Sequence, residues 1–169
     1  DHAAGINYET SAIPQERRGG YRDYWMAADV LEFTSHGYNG YVYNADNERV
    51  PFMGYRADCI NNFAIDFLHG RKEQVEPFFL FISQIEPHHQ NDRRRYEGPD
   101  GSRAQFADFQ PPGDLAACSR ACAQGTDVSN WRENYPDYLG CCHSLDYNVG
   151  RLVDTLKEQG LSLIHISEP

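Results

Sequence analysis

The most chemically loaded stretch of this sequence is Pro87-His88-His89-Gln90-Asn91-Asp92, followed at once by Arg93-Arg94-Arg95. An imidazole can donate to an anion or exchange a proton near neutral pH, and a proline stiffens the loop that carries it. The cluster comes directly after the apolar run Pro77-Phe78-Phe79-Leu80-Phe81-Ile82-Ser83. Ligands of open α/β sheets gather beyond the carboxyl ends of the strands, so the position itself points to function. Taken alone, two adjacent loop histidines are more often solvated surface. The three arginines read either as an anion-guiding patch or as a solvated charged face.

The five cysteines, Cys59, Cys118, Cys122, Cys141 and Cys142, are the other reactive set. Their odd number does not read as a disulfide framework in a chain of this length. Cys141 and Cys142 are adjacent and bridge each other only with difficulty. Cys118 and Cys122 lie one helical turn apart, with His143 beside the vicinal pair. That spacing matches no common zinc-ligand pattern, so buried or free thiols are expected.

The elements that position these residues follow from hydrophobic periodicity. Ile60, Phe63, Ala64, Phe67 and Leu68 recur at helical spacing and Gly70 follows, which predicts a helix from about Asp58 to His69. The run at 77–83 predicts a strand covered on both faces, as in a parallel sheet. Tyr138, Cys142, Leu145, Val149, Leu152 and Leu156 alternate spacings of four and three. They predict a long amphipathic helix over 131–159, with Cys142 in its core stripe and Asp146 and Arg151 on solvated faces. Tyr41-Val42-Tyr43 predicts a short strand turning at Asn44-Ala45-Asp46-Asn47. A short helix is expected from Gly113-Asp114 through Cys122, within a long loop. The first 54 residues, dense in Tyr, Gly, Asn and Arg, read as loops with short strands that line a site or pack on themselves. Helix, buried strand and helix in succession predict an α/β fold, a mostly parallel sheet flanked by helices.

Composition bounds the rest. The chain has 169 residues, 40% hydrophobic and 13% aromatic, enough to build a core. Fifteen Lys+Arg against 25 Asp+Glu leave a formal charge of −10, which disfavours a general nucleic-acid binder. No run of about 18 apolar residues occurs, so no membrane-spanning helix is expected.

Read back into codons, the tail Leu161-Ser162-Leu163-Ile164-His165-Ile166-Ser167-Glu168-Pro169 fits the string CTG TCT CTT ATA CAC ATC TCC GAG CCC. That string is similar to a translated transposase-type sequencing adapter. Residues 161–169 are therefore expected to be non-native, and they carry no functional argument.

Pro77-Phe78-Phe79-Leu80 running into Pro87-His88 resembles the sulfatase family, of the alkaline-phosphatase-like superfamily. So does the long helix, through Tyr138-Leu139-Gly140, Leu145-Asp146, Val149-Gly150-Arg151-Leu152 and Leu156. Arg18-Gly19-Gly20-Tyr21, Asp23-Tyr24-Trp25 and Glu32-Phe33-Thr34-Ser35-His36-Gly37-Tyr38 are similar to one bacterial branch. The resemblance implies that residues 1–160 are an internal part of a sulfatase-like catalytic domain, truncated at both ends.

It also implies a chemistry. Family members attack sulfur with a formylglycine made from a Cys/Ser-x-Pro/Ala-x-Arg motif, beside a calcium ion that orients the sulfate. No Cys or Ser stands in that motif here, and Cys118-Ser119-Arg120 departs from it. The nucleophile and metal ligands are therefore expected outside this chain, and the chain alone is expected to be inactive. His88 matches the family histidine that contacts the sulfate ester and assists the leaving oxygen. His89 and Asn91 are candidate substrate contacts. The implied parent is a sulfuric ester hydrolase acting on a sulfated carbohydrate or aryl sulfate. The alternatives are a phosphoester or phosphonate hydrolase of the same superfamily, or a non-catalytic carbohydrate-binding module.

Overall fold

The computed structural model describes residues 8–110 and 131–161. The short helix expected through Cys122 and all but the first residue of the tail lie outside the described residues. The chain divides into two compact units, Asp1–Ile85 with Tyr147–Pro169, and Glu86–Asp146.

The first unit is built around a hairpin and the helix that follows it. Strands β1 (Tyr38–Tyr43) and β2 (Arg49–Tyr55) pair antiparallel, with Val42 opposite Val50 and a bulge between Tyr38 and Gly40. The connection turns where the sequence predicts. Asn44 Oδ1 accepts from the backbone N–H groups of Asp46 (3.0 Å) and Glu48 (2.9 Å), an Asx-type turn. The second strand is less legible, because Pro51 and Gly54 interrupt its pattern. A four-residue helix, α1 (Leu31–Thr34), precedes β1 and packs tightly on it. A Cβ on Gly40 would lie 2.7 Å from the Thr34 carbonyl oxygen.

Helix α2 (Arg56–His69) continues directly from β2 and begins two residues before the predicted start. The Gly37 carbonyl accepts from the Arg56 N–H at 2.8 Å, satisfying one amide of the uncapped first turn. Val42, Phe52 and Cys59 form the buried core, with Met26, Leu31, Val50, Ile60 and Phe63 packed against it. Irregular chain before α1 is held by Arg18, only 3% exposed. Its guanidinium donates to the carbonyls of Ile13 (2.9 Å) and Ala45 (3.0 Å) and to Asn47 Oδ1 (2.6 Å), and it lies over the Trp25 ring.

Residues 77–83 are not paired into a strand among the described residues. Phe79 is 76% and Phe81 66% exposed. A strand needs neighbours for its lateral hydrogen bonds, and the one sheet among the described residues is the β1–β2 hairpin, which does not take it.

Beyond the Glu86–Pro87 peptide, which is cis, the second unit contains α3 (Ser102–Gln105) and the first half of a 28-residue helix, α4 (Trp131–Glu158). The extent of α4 matches its periodicity to one residue, but its buried face does not. Asp137, Cys141, Ser144, Asn148 and Thr155 are the buried side chains, whereas Val149 is 58% exposed and Cys142 half-buried. The core thiol is thus Cys141 and not Cys142. Arg151, expected on a solvated face, instead donates to Asn148 Oδ1 (2.9 Å) and Asn62 Oδ1 (2.6 Å), while Asn148 Nδ2 donates to Asp58 Oδ1 (2.7 Å). The physical reason is that α2 offers Asp58 and Asn62, one turn apart, and polar partners on α4 meet them.

Gly140 and Gly150 sit on the same helix in opposite surroundings. A Cβ at Gly140 would overlap the Ser102 side chain, while one at Gly150 meets nothing within 4 Å. Gly140→Ala is expected to cost about 1–3 kcal/mol by overpacking, and Gly150→Ala to stabilise by about 0.5–1 kcal/mol through helix propensity. Urea-unfolding midpoints of the two variants check both signs.

The Tyr24 hydroxyl donates to the Phe63 carbonyl at 2.8 Å. Burial, then the charge of Asp66, push its phenol up from 10.0 to about 12. A group raised in the fold stabilises while protonated. Its contribution is complete below pH 10.0 and is lost as pH rises toward about 12. Tyr24→Phe is expected to cost about 1 kcal/mol at neutral pH and to weaken the alkaline loss, as read from unfolding midpoints across that range.

Candidate functional site

The candidate residues lie at the start of the second unit. A two-way backbone pairing closes a tight turn here: Gln90 N–H donates to the Arg95 carbonyl at 2.8 Å, and Arg95 N–H to that of Gln90 at 3.4 Å. Gln90 is 2% exposed, and its side-chain amide donates to Asp92 Oδ1 at 2.7 Å. The stretch that looks like a string of polar loop residues is therefore an anchored hairpin.

His88 stands immediately before this hairpin, with an exposed side chain. His89 is half-buried and packs edge-on against Tyr96, centroids 5.4 Å apart at 83°. Tyr96 in turn meets Tyr138 of α4 edge-on at 5.3 Å, and Tyr138 stacks on Tyr135 at 5.9 Å. Burial pushes the Tyr96 phenol up, with the neighbouring Cys141 and Cys142 thiols adding to the shift. His89 is thus seated by an aromatic row, while its neighbour His88 stays open to solvent. Asn91 is exposed on the hairpin. The structure brings the three sequence-predicted residues into one anchored segment and divides them: His88 and Asn91 outward, His89 against Tyr96.

The arginine run divides as well. Glu97, whose side chain is 8% exposed, accepts from Arg93 Nη1 at 2.8 Å and from Arg95 Nη2 at 2.9 Å through one carboxylate oxygen. Arg94 lies between them with φ of 51° and an exposed side chain. That left-handed conformation costs a non-glycine residue about 1 kcal/mol. Sequence alone carries no signal for it, because an arginine gives no hint of positive φ.

The first unit holds a cavity of about 1090 Å³. Tyr21, Tyr24, Trp25, Phe67, Phe78 and Ile82 are among its lining residues. Tyr24 and Phe67 meet at 4.9 Å and Phe67 and Phe78 at 5.3 Å, so the wall is an aromatic cluster. It takes up the inner side of residues 77–85, the segment that lacks a ladder partner.

Among the described residues, no three His, Cys, Asp or Glu side chains converge as metal ligands. Cys59, Cys141 and Cys142 lie within helices and form no disulfide. Cys118 and Cys122 lie outside the described residues. No helix among the described residues is long and apolar enough to cross a membrane.

Comparison with known proteins gives a consistent result. The family profile described as Sulfatase matches residues 5–163. A curated relative, "Uncharacterized sulfatase YdeN" of Escherichia coli (strain K12), is 26% identical over 123 residues, 73% of this chain and 18% of its own length. The crystal structure of yidJ of Bacteroides fragilis, provisionally named a sulfatase, overlays with a TM-score of 0.67 at 26% identity. That overlay covers 89% of this chain and 32% of the other. The chain thus spans less than a third of either protein, and the α/β class expected from its periodicity is shared with a solved fold.

Proposed function

The chain belongs to the sulfatase family, and from that premise we propose that the full protein is a sulfate-ester hydrolase acting on a sulfated carbohydrate or aryl sulfate. The observation that carries the proposal is His88: an exposed imidazole directly after Pro87, at the base of a hairpin anchored by the Gln90–Arg95 pairing.

In this reading the His88 imidazole donates a hydrogen bond to the sulfate ester and gives its proton to the departing alkoxide oxygen, so that the alcohol leaves neutral. An imidazole on a fixed backbone needs little reorganisation as charge develops on that oxygen. His89, held against Tyr96, limits the movement of the loop from its inner side. Asn91 supplies an amide toward the carrier of the sulfate.

Members of the family use a calcium ion and a formylglycine. No metal-ligand cluster forms among the described residues, and no cysteine or serine stands in the Cys/Ser-x-Pro/Ala-x-Arg pattern. In this reading both groups belong to other parts of the full protein. The isolated chain is then expected to show no turnover.

Replacing His88 by Ala in the full-length protein is expected to lower kcat for an aryl sulfate by about a hundredfold, as for loss of a transition-state donor. Steady-state hydrolysis of a chromogenic aryl sulfate measures it. Unchanged turnover would remove His88 from the chemistry. Hydrolysis of the matching aryl phosphate in preference to the sulfate would shift the reading to a phosphoester hydrolase.

A further inference from the structure

The hairpin after His88 carries a charge arrangement that the hydrolysis reading leaves unused. Three consecutive arginines lie within a few residues of His88, in a protein whose formal charge is −10. Two of them are paired locally, since the largely buried Glu97 carboxylate takes both Arg93 and Arg95 and offsets one of their two charges. Arg94 is treated differently. Its guanidinium has no hydrogen-bond or ion-pair partner among the described residues, and its side chain is exposed.

Its backbone is unusual too. Three non-glycine residues among those described have positive φ: Asn39 at 64°, Asn47 at 64° and Arg94 at 51°. Asparagine tolerates this region, and both asparagines use their side-chain oxygens there. Asn39 Oδ1 accepts from Gly54 N–H, and Asn47 Oδ1 from Arg18. Arg94 gains no such local bond. A glycine or asparagine would fill the position with less strain, so a structural role does not account for an arginine. Residues with a strained backbone held by well-anchored surroundings concentrate where a ligand is met. The surroundings here are anchored on both sides of the turn, by the Gln90–Arg95 pairing and by Glu97.

We propose that Arg94 is a specificity residue that binds a second anionic group, a further sulfate or a carboxylate, on the carbohydrate whose sulfate ester sits at His88. The proposal rests on the sulfatase reading and narrows its substrate to a polyanionic glycan. Two Cα-to-Cα steps lead from His88 to Gln90, at most about 7 Å, and Gln90 pairs directly across to Arg95. The cationic tip therefore stays within the span of a short oligosaccharide from His88. The planar guanidinium offers paired N–H donors that match the oxygens of either group.

The test uses the full-length protein and the variants Arg94→Gly and Arg94→Lys. Three substrates are compared: a neutral-ring aryl sulfate, a disaccharide with two sulfates, and a disaccharide with one sulfate and one carboxylate. Arg94→Gly is expected to raise KM about tenfold for whichever doubly anionic substrate supplies the natural group, with kcat unchanged. Its aryl sulfate kinetics should stay within about twofold of wild type, and Arg94→Lys should recover part of the loss. The wild-type KM for the doubly anionic substrate should rise with salt more steeply than the variant's. Thermal unfolding of Arg94→Gly should be at or above wild type, because glycine relieves the strained φ. If it unfolds earlier, Arg94→Asn gives the same comparison. An unchanged KM for both disaccharides, or an equal loss on the aryl sulfate, would overturn the proposal. Calorimetric binding of the disaccharides provides a readout without turnover. Tenfold weaker binding in Arg94→Gly together with no sulfate hydrolysis by wild type would keep the anion site and discard the hydrolase reading.

Discussion

One guanidinium organises the irregular third of the first unit. Arg18 is almost fully buried, yet its hydrogen bonds go to two backbone carbonyls and an amide oxygen rather than to a carboxylate. Its partners come from separate places: Ile13 from the chain before it, and Ala45 and Asn47 from the hairpin turn. The face of the ion rests on Trp25. Long chain without helix or strand has few ways to satisfy its polar groups away from water. A guanidinium offers five donors in a fixed planar fork, against three on a lysine ammonium, and its flat face can rest on a ring at the same time. Once the turn between β1 and β2 is tied to the preceding loop, β2 runs straight into α2, and the core of Val42, Phe52 and Cys59 closes behind it.

The same logic, polar bonds in place of apolar contact, governs the approach of α2 and the second half of α4. Asp58 and Asn62 on one helix meet Asn148 and Arg151 on the other, while apolar positions such as Val149 remain open. Apolar contact is tolerant of sliding, whereas a chain of directional bonds fixes one register. In the second unit, Ser102 fits against the bare backbone of Gly140, and Arg103 pairs with Asp137 at 2.8 Å. The residues around His88 thus inherit their placement from α4 through the aromatic row, His89 to Tyr96 to Tyr138.

Both long helices were legible in the sequence because a 3.6-residue period survives a few exceptions. Their extents follow within one or two residues. Which face is buried was less legible. Periodicity assumes that the apolar stripe faces inward, and the helix buries Asn148 and Thr155 because a partner on α2 and a carbonyl of its own backbone satisfy them. The run at 77–83 has the composition of a covered strand, but pairing is a property of neighbours and not of the run. The histidine loop was readable from its position after that run and from its resemblance to the family. The hairpin inside it was not, since Gln90 and Arg95 are no ordinary turn signal and the φ of Arg94 leaves no mark on residue type. Arg151 shows the reverse error: a charged residue in a helix looks solvated until its partners are known.

Each unit also contains a buried thiol: Cys59, 8% exposed, in the first and Cys141, 1% exposed, in the second. Burial, with the nearby Asp58 charge adding to it, pushes the Cys59 thiol up and slows formation of its thiolate. Neither sulfur can meet an aqueous reagent until its surroundings open. The two cysteines therefore act as built-in clocks. The rate at which each is alkylated reports how often its own unit breathes, with no label to introduce and no side chain to replace.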